Sequence, residues 1–250
     1  GLFPKPFFYT KNLDIKYEEE VIANTGYVKF YISFNNFFLS ENISAKNLIF
    51  QDTEFNINSN NVDFFLKALN SSDKKNKFIF KKSKFFYKDQ NKDLLFLSKI
   101  NNFNFFYDDV NNIQKVKSNF ELFNVPFKLD ISKNIENKNK NIKLSSKKIR
   151  LDIETSVEYD EDKISGFFDI AAINKRNEFR YVIKDNSLNF LSSEKDFKGE
   201  VNFKPFYFLS DLNFNYISQR KIFQNESLLI DLLDSELLNN PNLNASINIK

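Results

Sequence analysis

The segment from Ile149 to Ala172 reads IRLDIETSVEYDEDKISGFFDIAA, and it is the stretch that decides the fold. Apolar residues fill almost every second position in both halves, and in the first half Asp152, Glu154, Ser156 and Glu158 lie between them. A period of two is the pattern of a β-strand with one dry face and one wet face. The acidic residues 160–162 separate the two halves, so the segment predicts a β-hairpin with a solvated turn.

The same alternation recurs along most of the chain. It predicts further strands around residues 28–34, 103–107, 116–131, 179–190, 201–203 and 212–216. The phase of the alternation changes at Val125-Pro126, which predicts a bulge or bend at the proline. The chain has only 4 Gly, so Asn and Asp are expected to supply the left-handed turn conformations. These patterns predict a mainly β, mostly antiparallel protein whose apolar face is buried in a sandwich, a closed roll or a groove.

Two segments depart from strand periodicity and predict short amphipathic helices that cover a sheet. The first lies near residues 61–70, with Asn60 or Asn61 as its cap, and the second near residues 226–239. The polar segment 134–141 predicts a long loop. It divides the chain into an N-terminal β segment, residues 1–133, and a second β segment, residues 142–250.

Composition argues against most enzymatic chemistry. The chain has no His and no Cys, so the usual general base near neutral pH and thiolate chemistry are both missing. It has no G-x-S-x-G motif and no glycine-rich phosphate loop. We therefore expect a protein that is not an enzyme, with no cofactor, no metal and no catalytic residue.

Charge gives a second exclusion. The net charge of +3 is too small to indicate a nucleic-acid partner, because a groove for phosphates needs clustered basic charge. The lysine pairs at 74–75, 81–82 and 147–148 are expected to face solvent, with lipid phosphate as the alternative. Residues 77–88 mix Phe and Lys as a stacking platform for single strands does, but the charge balance disfavours that interpretation.

Several segments, in their order along the chain, resemble the AsmA-like family of bridge-like lipid carriers. They are Leu2-Phe3-Pro4-Lys5-Pro6-Phe7-Phe8, Leu13-Asp14-Ile15, the stretches 43–50 and 54–57, Phe120–Leu129, and Lys198–Phe206. The resemblance covers nearly the whole chain through loose motifs. The chain departs from the family in its scarcity of glycine and in the absence of the membrane anchor. Because it opens at Gly1, we expect it to be an internal or trimmed piece with the anchor before it.

What this resemblance implies is a long, strongly curved, taco-like antiparallel sheet that forms an apolar groove. It also implies a periplasmic protein, held in the bacterial inner membrane by an N-terminal helix. Phospholipid acyl chains would be shielded in the groove, or conducted along it, between the inner and outer membranes during outer-membrane biogenesis. The implied partners are phospholipid, the inner membrane, and outer-membrane or periplasmic proteins.

The candidate groove residues come from the alternating positions. They are Val28, Phe30, Ile32, Phe103, Phe105, Phe120, Leu122, Ile153, Phe168, Ile170, Phe203 and Phe214. Large apolar side chains without polar atoms would shield a lipid tail at about 0.8 kcal/mol per buried methylene. The alternative is that these residues form the core of a β-sandwich. The chain would then be a non-catalytic structural or interaction domain of a larger surface or envelope protein.

Overall fold

The computed structural model describes residues 7–32, 45–58, 60–70, 77–89, 93–136, 140–159, 164–172, 175–185, 187–203, 206–213 and 244–249. In this part of the chain, fifteen strands form one open sheet, and a single short helix accompanies them. The predicted mainly β fold is confirmed. The second predicted helix, near 226–239, and Phe214 both lie outside the described residues.

The sheet follows the order of the chain from its first strand to its last. The strands are β1 Phe7–Tyr17, β2 Glu20–Ile32, β3 Ala45–Ile57, β4 Lys77–Lys88, β5 Leu94–Asp108, β6 Ile113–Leu122, β7 Val125–Asn134, β8 Lys140–Ser146, β9 Leu151–Tyr159, β10 Ile164–Ala172, β11 Lys175–Lys184, β12 Ser187–Ser192, β13 Phe197–Phe203, β14 Phe206–Leu212 and β15 Asn244–Ile249; the helix is α1, Val62–Asn70.

Most neighbouring strands are antiparallel, as predicted. The hairpin that the opening segment predicts is present, because β9 and β10 pair from Leu151 opposite Ala172 to Tyr159 opposite Ile164. Two pairs are parallel instead, β3 with β4 and β14 with β15. A parallel pair needs a crossover connection, and α1 lies in the connection between β3 and β4.

The helix α1 confirms the first helix prediction and corrects its cap. The side-chain oxygen of Asn58 accepts hydrogen bonds from the backbone N–H groups of Asn60 and Asn61, at 2.9 and 3.1 Å. The buried Asn61 side chain donates to the Asn56 carbonyl at 3.0 Å. The cap is therefore Asn58, and the Asn61 side chain ties the start of the helix back to β3.

The phase change at Val125-Pro126 was predicted as a bulge or bend, and that prediction is wrong. Leu122 pairs directly with Val125, so the two flanking segments are separate strands, β6 and β7. The loop between them is Phe123-Asn124, with φ of 52° and 61°. Positive φ at both central residues matches the type I′ hairpin, the two-residue turn that suits the natural twist of strands.

Asn and Asp do supply left-handed backbone, at turns and also inside strands. Asn112, Asn124 and Asp185 have positive φ at turns, as predicted from the scarcity of glycine. Within strands, Asn12, Asp52 and Lys82 have φ near 50° and shift the alternation by one residue. Asp52 and Lys82 occupy matching positions, because Gln51 pairs with Lys81 and Glu54 with Lys84. The two strands therefore change phase together and stay in register.

The polar segment 134–141 connects two strands that pair with each other. The strand β7 ends at Asn134, β8 begins at Lys140, and Lys133 lies opposite Lys140. The sheet therefore continues across this segment. The described residues contain no helix that is long and apolar enough to cross a membrane.

Candidate functional site

The register of the sheet places a continuous row of mostly apolar residues on one face. Residues that lie directly opposite each other on paired strands point to the same side of a sheet. One such row crosses β1 to β12, and ten of its twelve members are apolar or aromatic. It runs Phe8, Phe30, Leu48, Phe78, Phe105, Val116, Ile131, Ile142, Thr155, Phe168, Phe179 and Ser192. The side of the sheet that carries this row is called the apolar face below.

The pairings and alternation place nine of the twelve predicted groove residues on this face. They are Val28, Phe30, Phe103, Phe105, Phe120, Leu122, Ile153, Phe168 and Ile170. Val28 and Phe105 are each 3% exposed, and the Phe168 ring stacks on Phe179 with centroids 5.0 Å apart. The other two described groove candidates lie at strand ends. Ile32, the last residue of β2, pairs with Ala45, and Phe203, the last residue of β13, pairs with Phe206.

The opposite face is polar and carries cross-strand ion pairs. The ammonium groups of Lys84 and Lys143 each lie 2.9 Å from a carboxylate oxygen of the neighbouring strand, on Glu54 and Glu154 respectively. Exposed pairs of this kind contribute roughly 0.2–1 kcal/mol each. They therefore identify the wet side of the sheet more than they hold it together. The predicted solvent exposure of residues 81–82 and 147–148 is confirmed, and the pair at 74–75 lies outside the described residues.

The helix α1 covers part of the apolar face over the first four strands. Its Val62 and Phe65 pack against a buried cluster of Ala23, Phe55 and Ile57. The rings of Phe55 and Phe65 meet edge to face with centroids 6.0 Å apart. The prediction that this helix covers the sheet is confirmed. Phe55 had not been singled out from the sequence, because Asp52 interrupts the alternation that leads to it.

Aromatic rings converge on the apolar face between strands that are not neighbours. The rings of Phe179 on β11 and Phe197 on β13 have centroids 5.3 Å apart. Strands two positions apart in a sheet lie roughly 9–10 Å apart. Phe179 is only 2% exposed, although β11 has no helix packed on it in the described part of the chain. The rings of Phe168, Phe190 and Phe197 on the same face contribute to its cover.

A cavity of about 370 Å³ lies on the apolar face over β8 to β12. Eight of its ten lining residues are apolar or aromatic, and Thr155 and Lys140 are the other two. Two predicted groove residues, Ile153 and Phe168, line it, together with Val157, Tyr181 and others. The cavity is thus an apolar recess with one cationic side chain, and pockets of this kind suit apolar ligands with a polar group.

Few ionisable groups on the sheet have strongly altered pKa values. Hydrogen bonds from Lys115 and Asn111 lower the pKa of Asp108 to about 2. Burial raises the pKa of Tyr87, and burial followed by the charge of Lys133 lowers the pKa of Lys140. Among the described residues, no group of three acidic side chains is placed to hold a metal ion. The site is therefore defined by shape and apolar surface, with Lys140 as its notable charge.

Comparison with known proteins adds no identification. No protein-family model matches the sequence, and no curated protein matches it. The AsmA-like resemblance rests on the segments quoted above.

Proposed function

We propose that this chain is a bacterial envelope module that shields or conducts phospholipid acyl chains, as AsmA-like lipid carriers do. The observation that carries the proposal is the apolar row across twelve consecutive strands, from Phe8 to Ser192, on a sheet whose other face is polar. A sheet with one apolar face must cover that face with something. Lipid tails are the cover that we propose.

The contacts of the aromatic side chains favour an open face over the alternative β-sandwich. In a sandwich, rings from two sheets interdigitate across a core about 10 Å thick. Within the described residues, one aromatic pair lies inside α1, and every other pair joins a strand to its neighbour, to the next strand but one, to α1 or to an adjoining turn. A core between two layers would bring together rings from strands far apart in the sheet order.

The convergence of rings also supports a concave apolar face. Curving a sheet toward one side brings the side chains on that side closer together than their strands are. The ring centroids of Phe179 and Phe197 are 5.3 Å apart, and those of Phe168 and Phe190 are 6.1 Å apart, although a strand lies between the two members of each pair. Both distances are shorter than the spacing of the strands that carry the rings. The left-handed residues Asn12, Asp52 and Lys82 interrupt the regular backbone of β1, β3 and β4, and such interruptions are places where a strand can change direction. A concave face is the groove that the proposal requires.

The energetics favour an acyl chain on such a face. Each methylene moved from water onto apolar surface contributes about 0.8 kcal/mol. The cavity over β8 to β12 holds about 370 Å³ and is lined mainly by Ile, Val, Leu and aromatic side chains. Several methylene groups in this recess would contribute several kcal/mol, so lipid would bind without covalent chemistry. An open edge would leave the headgroup in water.

The proposed setting is the periplasm, with a membrane anchor outside this segment and outer-membrane or periplasmic proteins as further partners. The test is extraction of lipid from purified protein, followed by mass spectrometry. We expect copurified phospholipid, and transfer of phospholipid from donor to acceptor vesicles when the protein is added. Protein that is consistently free of lipid, and that takes none up from vesicles, would leave the β-sandwich domain as the better explanation.

A further inference from the structure

Two lysines interrupt the apolar face at one of its edges. Lys133 on β7 and Lys140 on β8 lie directly opposite each other, next to the opposed pair Ile131 and Ile142. On the neighbouring strands, Lys133 lies opposite Gln114 of β6, and Lys140 lies opposite Val157 of β9. The two lysines therefore lie on the same side of the sheet as the apolar face, at the strand ends where β7 ends and β8 begins.

Neither lysine has a countercharge in the part of the chain that the structure describes. Both side chains are half-buried, and neither forms an ion pair with a described acidic residue. Like charges directly opposite each other on paired strands destabilise a sheet. Burial, and then the charge of Lys133, lower the pKa of Lys140. An anion that contacts both ammonium groups would relieve the repulsion and the cost of burial together.

The position of the lysine pair beside the cavity indicates what kind of ligand would carry the anion. Lys140 lines the apolar cavity. Lys140 has Val157 of β9, another cavity residue, on one side and Lys133 of β7 on the other. Lysine stems can lie along apolar surface while their ammonium groups reach outward to water. A ligand that spans both features has an apolar tail in the cavity and an anionic group at the strand ends.

We propose that Lys133 and Lys140 bind the phosphate of an anionic phospholipid whose acyl chain occupies the adjoining cavity. This inference rests on the proposed function and names the part of the lipid that the sheet recognises. Two ammonium groups offer charge-assisted hydrogen bonds to one phosphate, and such bonds are about twice as strong as neutral ones. The pair would thereby select anionic lipid over neutral lipid.

The test compares short-chain lipids that differ only in the headgroup. Isothermal titration with dihexanoyl phosphatidylglycerol and with neutral dihexanoylglycerol gives the preference of the full chain for the anionic headgroup. We expect a preference of about tenfold or more, which K133Q/K140Q reduces to near unity. The matched control is K128Q/K143Q, because Lys128 and Lys143 are exposed on the other face of the same two strands. The control removes the same charge and should keep the preference.

The outcomes separate this inference from the function on which it rests. Equal binding of both lipids, or a preference that survives in K133Q/K140Q, would overturn the headgroup site and leave lipid shielding intact. Binding of neither lipid would overturn both proposals. Inorganic phosphate that binds as tightly as the anionic lipid would reassign the lysines to a free anion. Circular dichroism of each variant checks folding. Increasing salt should weaken the preference in the unmodified chain and in K128Q/K143Q, which both retain the lysine pair.

Discussion

The ring of Phe190 lies over Gly199 on the neighbouring strand, where a Cβ atom on the glycine would come within 2.3 Å of the Phe190 Cζ. The same arrangement occurs two strands earlier, where the Tyr181 ring lies over Gly166. Tyr181 and Phe190 are directly opposite each other on β11 and β12. Two adjacent aromatic residues thus each occupy the space that a side chain at the facing glycine would need.

Replacing Gly199 with Ala should destabilise the sheet by about 1–3 kcal/mol, because overpacking a tight site displaces its neighbours. The added Cβ would also lie 2.9 Å from the Leu209 carbonyl oxygen, which is backbone and cannot rotate away. Urea denaturation measures the change. The comparison is Gly26→Ala, whose added Cβ would meet its nearest atom, the Asp52 Cβ, at 3.1 Å, a tight contact that is still well beyond 2.3 Å. If G199A were as stable as the unmodified chain, the ring would not be seated on the glycine.

Filling the cavity should reduce lipid binding without unfolding the protein. Val157 lines the cavity, whereas Ser156, its neighbour on β9, faces the opposite side and is exposed. We expect V157W to lower the amount of copurified phospholipid by half or more, roughly as the cavity volume is consumed. The variant S156W adds the same side chain on the wet face and should leave lipid content unchanged. Equal lipid content in both variants would place the lipid elsewhere on the sheet.

Lys140 should cost stability at neutral pH, so K140M should be more stable than the unmodified chain by about 1 kcal/mol. The folded-state pKa lies below the ordinary value of 10.5. The unfolded chain therefore binds more protons between those two values, and the stability of the unmodified chain rises with pH there. The advantage of K140M should be full below the folded pKa and shrink as pH approaches 10.5. K143M, which removes a lysine from the exposed face of the same strand, is the variant for comparison.

Asp108 should stabilise the hairpin of β5 and β6 down to acidic pH. Its side chain lies 2.7 Å from the Lys115 ammonium, and its folded pKa is about 2 against an ordinary 3.8. The stabilisation is present above the ordinary pKa and is lost as pH falls toward the folded pKa. The stability difference between the unmodified chain and D108N should therefore be constant near neutral pH and shrink between about pH 4 and pH 2. Asp109→Asn, an exposed neighbour, is the control; a difference that stays constant to pH 2 would contradict the assignment.

The sequence predicted the strands well because alternation is a local signal. Ile153 and Ile170 repeat at a period of two, and the structure places them directly opposite each other on β9 and β10. The left-handed positions at Asp52 and Lys82 were not predictable, because a left-handed residue inside a strand leaves no pattern beyond a shift of phase. The shift at Pro126 was visible, but a bulge and a two-residue hairpin shift the phase alike.

The lysine pair was missed for a different reason. Lys140 follows a run of Asn and Lys that predicts a solvated loop, and only the pairing of β7 with β8 brings it opposite Lys133. Cross-strand register is a tertiary property, set by the turn and by the neighbouring strands. The candidate face was therefore predictable from alternation, whereas its charged edge required the sheet.

The most direct test of the central claim uses the adjacent residues Phe167 and Phe168. Phe168 lines the apolar cavity, and Phe167, 42% exposed, points to the polar face. A photoreactive benzoylphenylalanine at either position, irradiated in the presence of phospholipid vesicles, reports by mass spectrometry which face contacts lipid. The predicted result is a phospholipid adduct at position 168 and little or none at 167. Equal adducts at both positions, or none at 168, would contradict a lipid-bearing apolar face.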